Sequence, residues 1–395
     1  MPTKPSKNAA GKDAESRDER FMRRALDLAP GGLARVEPNP MVGAVVVRGD
    51  RIVGEGFHAR FGGPHAEAVA LAQAGTEARG AELFVTLEPC CHHGKTPPCT
   101  DAILAAGVRR VVAAAGDPFP EVRGRGFAIL KQAGLEVEVG VLETEARRLN
   151  AAYFKRQATG LPLVIAKWAM TLDGRLATAS GESRWISSEA ARRRVHELRR
   201  IVDAVLVGAR TARMDEPRLT VRHVAPLAER GQPARVILDA TLSLEPDREP
   251  VRSAAEVPVL VYTTDDGLRN EAERAAALRR AGAVLVAAPK APGGVSPEAV
   301  LRDLGARGMS RVLVEGGARI LGSFFAAGLV DRVLVFVSPK ILGSAGTWGP
   351  GAGPGFAEAT PSAPGLTLAE AVAVEDATFS QTGPDLAIEG RVGEF

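Results

Sequence analysis

An α/β protein of two domains is the fold class this sequence predicts, and three observations predict it. Its 395 residues exceed what one ordinary hydrophobic core organises. From Met41 onward, short apolar runs alternate with Ala/Leu-rich stretches, the pattern of strands layered against helices. Midway, at YFKRQATGLP (153–162), the periodicity lapses and Gly-Leu-Pro marks a junction.

The opening MPTKPSKNAAGKDAESRDER mixes both charge signs with small polar residues and has no apolar segment. Residues 1–17 are therefore expected as a disordered tail, 18–155 as the first domain and 160–395 as the second. MVGAVVV and RIVGEGF flank a Gly49-Asp50 turn and predict a hairpin. Pro64 introduces the helix HAEAVALAQAG, followed by strand AELFVTLEP, a loop closing on Pro97-Pro98, and helix CTDAILAAG. Strand VRRVVAAAG, a helix around FAILKQAG and strand LEVEVGV complete the unit. In the second half, LVIAKWAM opens a series of strands, AVLVGA, ARVILDA, VPVLVYTT and AVLVAA, with helices SSEAARRRVHELRRI and LRNEAERAAALRRAG between them. RVLVEGGARILGSFFAAGL reads as a buried strand meeting a helix through Gly316-Gly317, before the strands DRVLVFVSPKIL and PDLAIEGRV.

Charge argues against a nucleic-acid partner. Through Gly160 there are 22 Lys+Arg against 19 Asp+Glu, and beyond it 28 of each, so no basic face segregates. No apolar run approaches the roughly 20 residues that cross a bilayer, so no membrane partner is expected. Cys90, Cys91 and Cys99 lie within ten residues and no cysteine stands elsewhere. Such a cluster makes a poor disulfide framework and a good metal or catalytic site, which points to reducing cytoplasm.

His65-Ala66-Glu67, then Pro89-Cys90 and, nine residues on, Cys99 supply one imidazole and two thiolates. That donor set suits zinc and leaves a fourth position for water, so the expected chemistry is catalytic. His65 and Cys99 both fall at predicted helix starts, where the positive end of the helix dipole favours a ligating thiolate. Two thiolates and a neutral imidazole cancel the charge of the ion, so its water ionises reluctantly and a nearby base is needed. Glu67 can take that proton and pass it to a ring nitrogen and a departing amine. Together these features predict hydrolytic deamination of an aminopyrimidine-type ring. Cys91 reads as a bystander, and His58, His92, His93, His196 and His223 show no ligand partner by spacing.

At PCCHHGKTPPC the chain resembles the bifunctional riboflavin-biosynthesis deaminase/reductases, whose deaminase loop separates its cysteines more widely than the Cys-x-x-Cys of nucleoside deaminases. The resemblance extends to ASGESRWIS, GARTARMDEPRLTVR and VEGGARILGSFF in the second half. It implies a cytidine-deaminase-like three-layer domain followed by a dihydrofolate-reductase-like domain. The first would deaminate a phosphoribosylated diaminopyrimidine to the aminouracil; the second would reduce the ribosyl group to ribityl with NADPH. By the same resemblance, Asn39 contacts the ring, Lys95 the phosphate or ribose, and Asp117 the sugar. Phe119 stands where the family commonly has asparagine in the Asp-Pro-Asn-Pro turn. Ala169, Trp185, Thr211, Asp215 and the segment Gly317, Ala318, Arg319, Ile320, Leu321, Gly322 and Ser323 are assigned to the cofactor. Ser183, Arg199, Leu219, Arg222 and Glu315 are assigned to the substrate, with the two arginines suited to its phosphate. The Glu315-Gly316-Gly317 turn itself favours phosphate, because glycines permit close approach and helix-start amides donate to anions.

The expected partners are thus a small phosphorylated pyrimidine, zinc and NADPH, with room for a homo-oligomer. Two other readings compete: a nucleoside or nucleic-acid zinc deaminase fused to an unrelated domain, and a zinc-stabilised scaffold. The missing basic face and the second-half motifs weigh against the first, and the otherwise unneeded Glu67 against the second.

Overall fold

The structure is a computed structural model that describes residues 15–178, 182, 184–227, 230–343 and 371–395. It divides into two compact units, residues 1–36 with 40–150, and 37–39 with 151–395. Most of the expected tail lies outside the described residues. Helix α1 (Arg17–Leu28) begins at its last residue, where Ser16-Arg17-Asp18-Glu19 forms a capping box. The Ser16 hydroxyl accepts from the Glu19 amide at 3.2 Å, and the Glu19 carboxylate accepts from the Ser16 amide at 2.8 Å.

In the first unit β1 (Gly43–Arg48) and β2 (Arg51–Phe57) form the expected hairpin, followed by α2 (Ala66–Ala74), β3 (Glu82–Val85), α3 (Cys99–Ala106), β4 (Arg110–Ala113), α4 (Arg125–Gln132), β5 (Glu136–Val139) and α5 (Glu143–Leu149). The sheet runs β2-β1-β3-β4-β5. Its hairpin side is antiparallel and its β3, β4 and β5 are parallel. Alternate residues serve opposite faces. Ala44, Val46, Leu83, Val85, Val111 and Ala113 pack under α2, α3 and α4 through Ala70, Ile103 and Leu130. On the other face Phe84 meets Phe21 of α1, ring centroids 5.3 Å apart. Helix, sheet and helix make three layers. Gly43 is needed for this, since a Cβ there would stand 1.9 Å from the Ala25 carbonyl oxygen of α1.

The second unit starts with α6 (Ala151–Thr159), so the segment read as an irregular junction is mostly helical and groups with the residues after it. Then come β6 (Leu163–Thr171), α7 (Glu189–Arg199), β7 (Ala204–Gly208), α8 (Ala209–Asp215), β8 (Ala234–Leu238), β9 (Val259–Thr263), α9 (Asp265–Asn270) and α10 (Ala272–Arg280). The chain continues through β10 (Val284–Ala287), the small hairpin β11 (Lys290–Ala291) and β12 (Gly294–Val295), α11 (Pro297–Ala306), β13 (Arg311–Val314) and α12 (Ala318–Ala326). It ends in β14 (Arg332–Ser338), β15 (Glu375–Thr382) and β16 (Asp385–Arg391). The single helix expected over LRNEAERAAALRRAG is broken into α9 and α10 at Glu271.

Among the described residues the main sheet has nine strands in the order β10-β9-β8-β7-β13-β6-β14-β16-β15. From β10 to β14 it is parallel, and β16 and β15 close one edge antiparallel. Strand residues again alternate. Val164, Leu206, Val236 and Val312 face α11 and α12, while Ile165, Val205, Ile237 and Leu313 face α6, α8 and α10. Crossover helices on both faces explain why these strands read as continuous apolar runs.

Candidate functional site

The first site gathers at the N-terminal ends of α2 and α3. His65 is the extended N-cap residue of α2, and it does not use its side chain as a cap. Cys90 lies in the coil after β3, and Cys99 opens α3 behind Pro98. The His65 Nδ1 stands 3.2 Å from the Cys99 sulfur and 3.4 Å from the Cys90 sulfur. The three donor atoms lie within 4.8 Å of one another. Tetrahedral zinc with ordinary Zn–S and Zn–N bonds would set sulfur and nitrogen about 3.6 Å apart, so the triad fits the ion with shifts of a few tenths of an ångström.

Helix geometry prepares the sulfurs. The Cys99 amide, one of the helix-start N–H groups without an intrahelical partner, donates to the Cys90 sulfur at 3.3 Å. Hydrogen bonding from Cys99, helped by His65, brings the Cys90 thiol down to about 4, while the same contact and burial raise Cys99. Cys91 points elsewhere: its thiol donates to the Glu121 carbonyl at 3.6 Å, and burial raises its pKa.

Glu67 follows in the first turn of α2 with only 3% of its surface exposed. Desolvation, reinforced by Cys90, pushes its carboxyl up to about 7. The residue suited to moving a proton is therefore enclosed beside the triad. The buried His58 meets His65 edge-on, ring centroids 5.0 Å apart.

The positions expected to bind substrate are placed unevenly. Lys95 stands with its ammonium 4.1 Å from the Phe61 ring centroid. Asp117 is nearly buried, and its carboxylate accepts from the Phe119 amide at 2.9 Å. Phe119, in the asparagine position, packs its ring 5.7 Å from that of His92. Asn39 lies in coil ahead of β1, in the segment Glu37–Asn39 that groups with the second unit. One residue that the sequence reading missed organises this loop. The buried Glu88 carboxylate accepts from the amides of Asp117 (3.1 Å), Gly124 (2.9 Å) and Phe127 (3.4 Å).

The second site forms around the C-terminal ends of parallel strands, where open α/β sheets hold ligands. Two residues assigned to substrate, Arg199 and Glu315, meet each other: Nε and Nη2 of Arg199 donate to the two Glu315 oxygens at 2.6 and 2.8 Å. Arg199 Nη1 also donates to the Thr220 carbonyl at 3.1 Å. Arg222 donates through Nη1 to the Thr220 hydroxyl, and its amide donates to His196 Nδ1 at 3.2 Å. Burial, then Arg199 and Arg222, bring His196 down to about 4, so it is a neutral acceptor. Leu219 is buried, with φ of 53°, and Glu216 has φ of 40°. Two non-glycine residues in left-handed backbone thus shape the segment that presents Arg222. Lys167 was not singled out by sequence. It lies within electrostatic reach of Glu315 and Arg199, and desolvation lowers its pKa. A lysine inside the apolar run LVIAKWAM was the available signal.

Of the residues assigned to the cofactor, Gly317 and Thr211 come together. Gly317 is the N-cap of α12, and its amide donates to the Thr211 hydroxyl at 3.2 Å. Gly316 passes so close to Ile320 that a Cβ would stand 2.7 Å from the Ile320 Cβ. Gly317 and Arg319 are exposed, whereas Ala318, Leu321 and Gly322 are buried. The Ser323 hydroxyl donates to the Ile320 carbonyl at 2.8 Å. The open helix start is therefore the part of this segment free to meet an anion. Ala169 lies on β6, and Asp215 ends α8, its carbonyl accepting from Arg184. Trp185 is 61% exposed, with the Arg192 guanidinium 4.4 Å from its ring and its carbonyl accepting from Lys340 at 2.6 Å. Ser183 lies outside the described residues.

Compared with models of known families, residues 15–115 match the cytidine and deoxycytidylate deaminase zinc-binding region, and residues 162–387 match the RibD C-terminal domain. The riboflavin biosynthesis protein RibD of Aquifex aeolicus (strain VF5) is 45% identical over 326 residues, covering 82% of this chain and 88% of that protein. RibD of Escherichia coli (strain K12) is 42% identical over 336 residues, covering 83% and 89%. Among solved structures, Acinetobacter baumannii RibD (form 1) is similar with a TM-score of 0.81 at 36% identity, covering 96% of this chain and 99% of that one. A diaminohydroxyphosphoribosylaminopyrimidine deaminase/5-amino-6-(5-phosphoribosylamino)uracil reductase from Thermotoga maritima gives 0.78 at 38% identity, covering 95% and 99%.

Proposed function

The chain belongs to the RibD family of riboflavin-biosynthesis deaminase/reductases, and from that premise we infer how its two units divide the work. It is a bifunctional enzyme with a cytidine-deaminase-like domain, a reductase domain of dihydrofolate-reductase-like fold, and zinc and NADPH as cofactors. We place deamination in the first unit and reduction in the second, acting in turn on the phosphoribosylated diaminopyrimidine and on the resulting aminouracil. The observation that carries this reading is the convergence of His65, Cys90 and Cys99 next to the enclosed Glu67.

In the first unit His65, Cys90 and Cys99 would hold zinc, whose Lewis acidity activates the attacking water when bound. Glu67 takes the proton from that water on its carboxylate oxygen, delivers it to the ring nitrogen, and assists the amine to leave as ammonia. One water is consumed, and a ring carbon exchanges its amine for oxygen. Enclosure of Glu67 keeps bulk solvent from competing for the proton. Lys95, on the loop between the two cysteines, and Asp117, on a loop that Glu88 holds, are assigned to the phosphoribosyl part.

In the second unit the exposed start of α12 at Gly317 is assigned to a cofactor phosphate, and Arg222 to the substrate phosphate. Arg199 is bound to Glu315, so its remaining donors are pre-aimed. NADPH, when bound, would supply the hydride for the sugar carbon, and a proton must reach the sugar oxygen to complete the ribityl chain. A small phosphorylated pyrimidine as the sole substrate class, with no nucleic-acid or membrane partner and a cytoplasmic setting, fits the nearly balanced charge and clustered cysteines. Among the described residues no helix is long and apolar enough to cross a membrane.

Full-length Cys99→Ser tests the reading. Metal analysis should show zinc lost or weakened and deamination abolished, while NADPH oxidation with supplied aminouracil persists. Full zinc and intact deamination in that variant would contradict the assignment.

A further inference from the structure

The loop between the two cysteine ligands carries a second group that meets the histidine ligand. His65 turns Nδ1 toward both sulfurs, at 3.2 and 3.4 Å, and its other nitrogen, Nε2, lies 3.3 Å from the Thr96 hydroxyl. A neutral imidazole carries one proton, so when Nδ1 gives its lone pair to a cation the proton must be on Nε2. Nε2 then donates and the Thr96 oxygen accepts.

We infer that Thr96 is a positioning residue whose hydroxyl fixes the tautomer and ring orientation of His65, directing the Nδ1 lone pair to zinc. The inference rests on reading His65, Cys90 and Cys99 as the zinc site. Second partners of this kind both orient a ligating imidazole and raise its basicity. The loop is tied where the hydroxyl must be held. The Gly94 amide donates to the Thr96 carbonyl at 3.3 Å, and the Thr100 amide donates to the Cys90 carbonyl at 3.2 Å. His58 stacks edge-on against His65, but its Nδ1 lies 2.9 Å from the Pro64 carbonyl oxygen. Thr96 also adjoins Lys95, so one dipeptide contacts both the ligand ring and the Phe61 face.

Thr96→Val keeps the branched shape and removes the acceptor, whereas Thr96→Ser keeps the acceptor. Zinc transfer from the full-length zinc-loaded protein to a chromophoric chelator gives relative affinities without an activity assay. The valine variant should hold zinc about 10- to 100-fold more weakly, and the serine variant should match the parent. Equal retention by parent and valine variant overturns the inference. So does equal loss in both variants, which would assign the effect to side-chain shape.

A measurement on the parent needs no variant. With histidine-selective 15N labelling, long-range correlation spectra of the zinc-loaded protein should show His65 protonated at Nε2 and metal-bound at Nδ1. The reverse pattern also overturns the inference. A parent that takes up no zinc refutes the metal site itself, and this inference with it, which separates the two failures.

Discussion

Replacing Glu315 with Gln isolates the ion pair around which the second site is built. Both carboxylate oxygens accept from Arg199, at 2.6 and 2.8 Å, and the two side chains are about one-tenth exposed. Burial alone would raise the Glu315 pKa, but Arg199, followed by Lys167, outweighs it and holds the carboxyl below its ordinary range. Glutamine keeps the shape but leaves the Arg199 cation uncompensated near Arg222 and Lys167. Breaking a buried pair from one side costs about 3–5 kcal/mol. The surviving bond from Arg199 to the Thr220 carbonyl places this case near about 3 kcal/mol. In a unit of this size that corresponds to a fall in melting temperature of about 6 to 12 °C. Calorimetry of the full chain should show the fall in the transition that NADPH shifts, and an Arg199→Met/Glu315→Gln double variant should recover part of it. The pH dependence has a definite sign. A depressed carboxyl stabilises above the unfolded value near about 4.3, and the contribution is lost as pH falls through the lower folded value. Wild type should therefore lose its advantage over the Gln variant only in acid. Single variants that melt with wild type, or a double variant equal to the sum of the singles, would refute the reasoning.

Glu67→Gln should retain zinc and fold but lose about 100- to 10,000-fold in deamination, with reduction of supplied aminouracil unchanged; near-normal deamination would remove Glu67 from the mechanism. Glu88→Gln can present only one oxygen to the three amides that the carboxylate serves. It should destabilise the first unit by roughly 1.5–3 kcal/mol in denaturant melts and raise the deaminase KM. Arg222→Ala should raise the reductase KM for substrate tenfold or more, from a loss of about 1.5–3 kcal/mol, and leave the KM for NADPH in place. Steady-state kinetics with each ligand varied separately will show whether the loss falls on the cofactor instead.

The triad was legible because its donors are chemically rare and sit within 35 residues, at helix starts that the sequence announces. Pairing across long separations was not. Arg199 and Glu315 are 116 residues apart, and only the parallel order of β7, β13 and β6 brings their elements together. One other miss had a local signal. Ser16-x-x-Glu19 is a capping box, yet the mixed charges around it read as tail. In β15 the sequence EDATFSQT is exposed almost throughout, so it offers no buried face to mark a strand. Glu88 and Thr96 act through hydrogen bonds to groups 29 to 39 and 31 residues away, which no spacing rule reveals.

The central claim is that one chain first exchanges an amine for oxygen through the zinc triad and Glu67, and then reduces the product in its second unit. Mass analysis of products from the full-length zinc-loaded protein, given the phosphoribosylated diaminopyrimidine with and without NADPH, tests it most directly. Without NADPH the expected products are the aminouracil and free ammonia alone; with NADPH the expected product is the aminouracil carrying the added hydrogens of a ribityl chain. Reduction of the undeaminated ring, or deamination that survives complete removal of zinc, would contradict it.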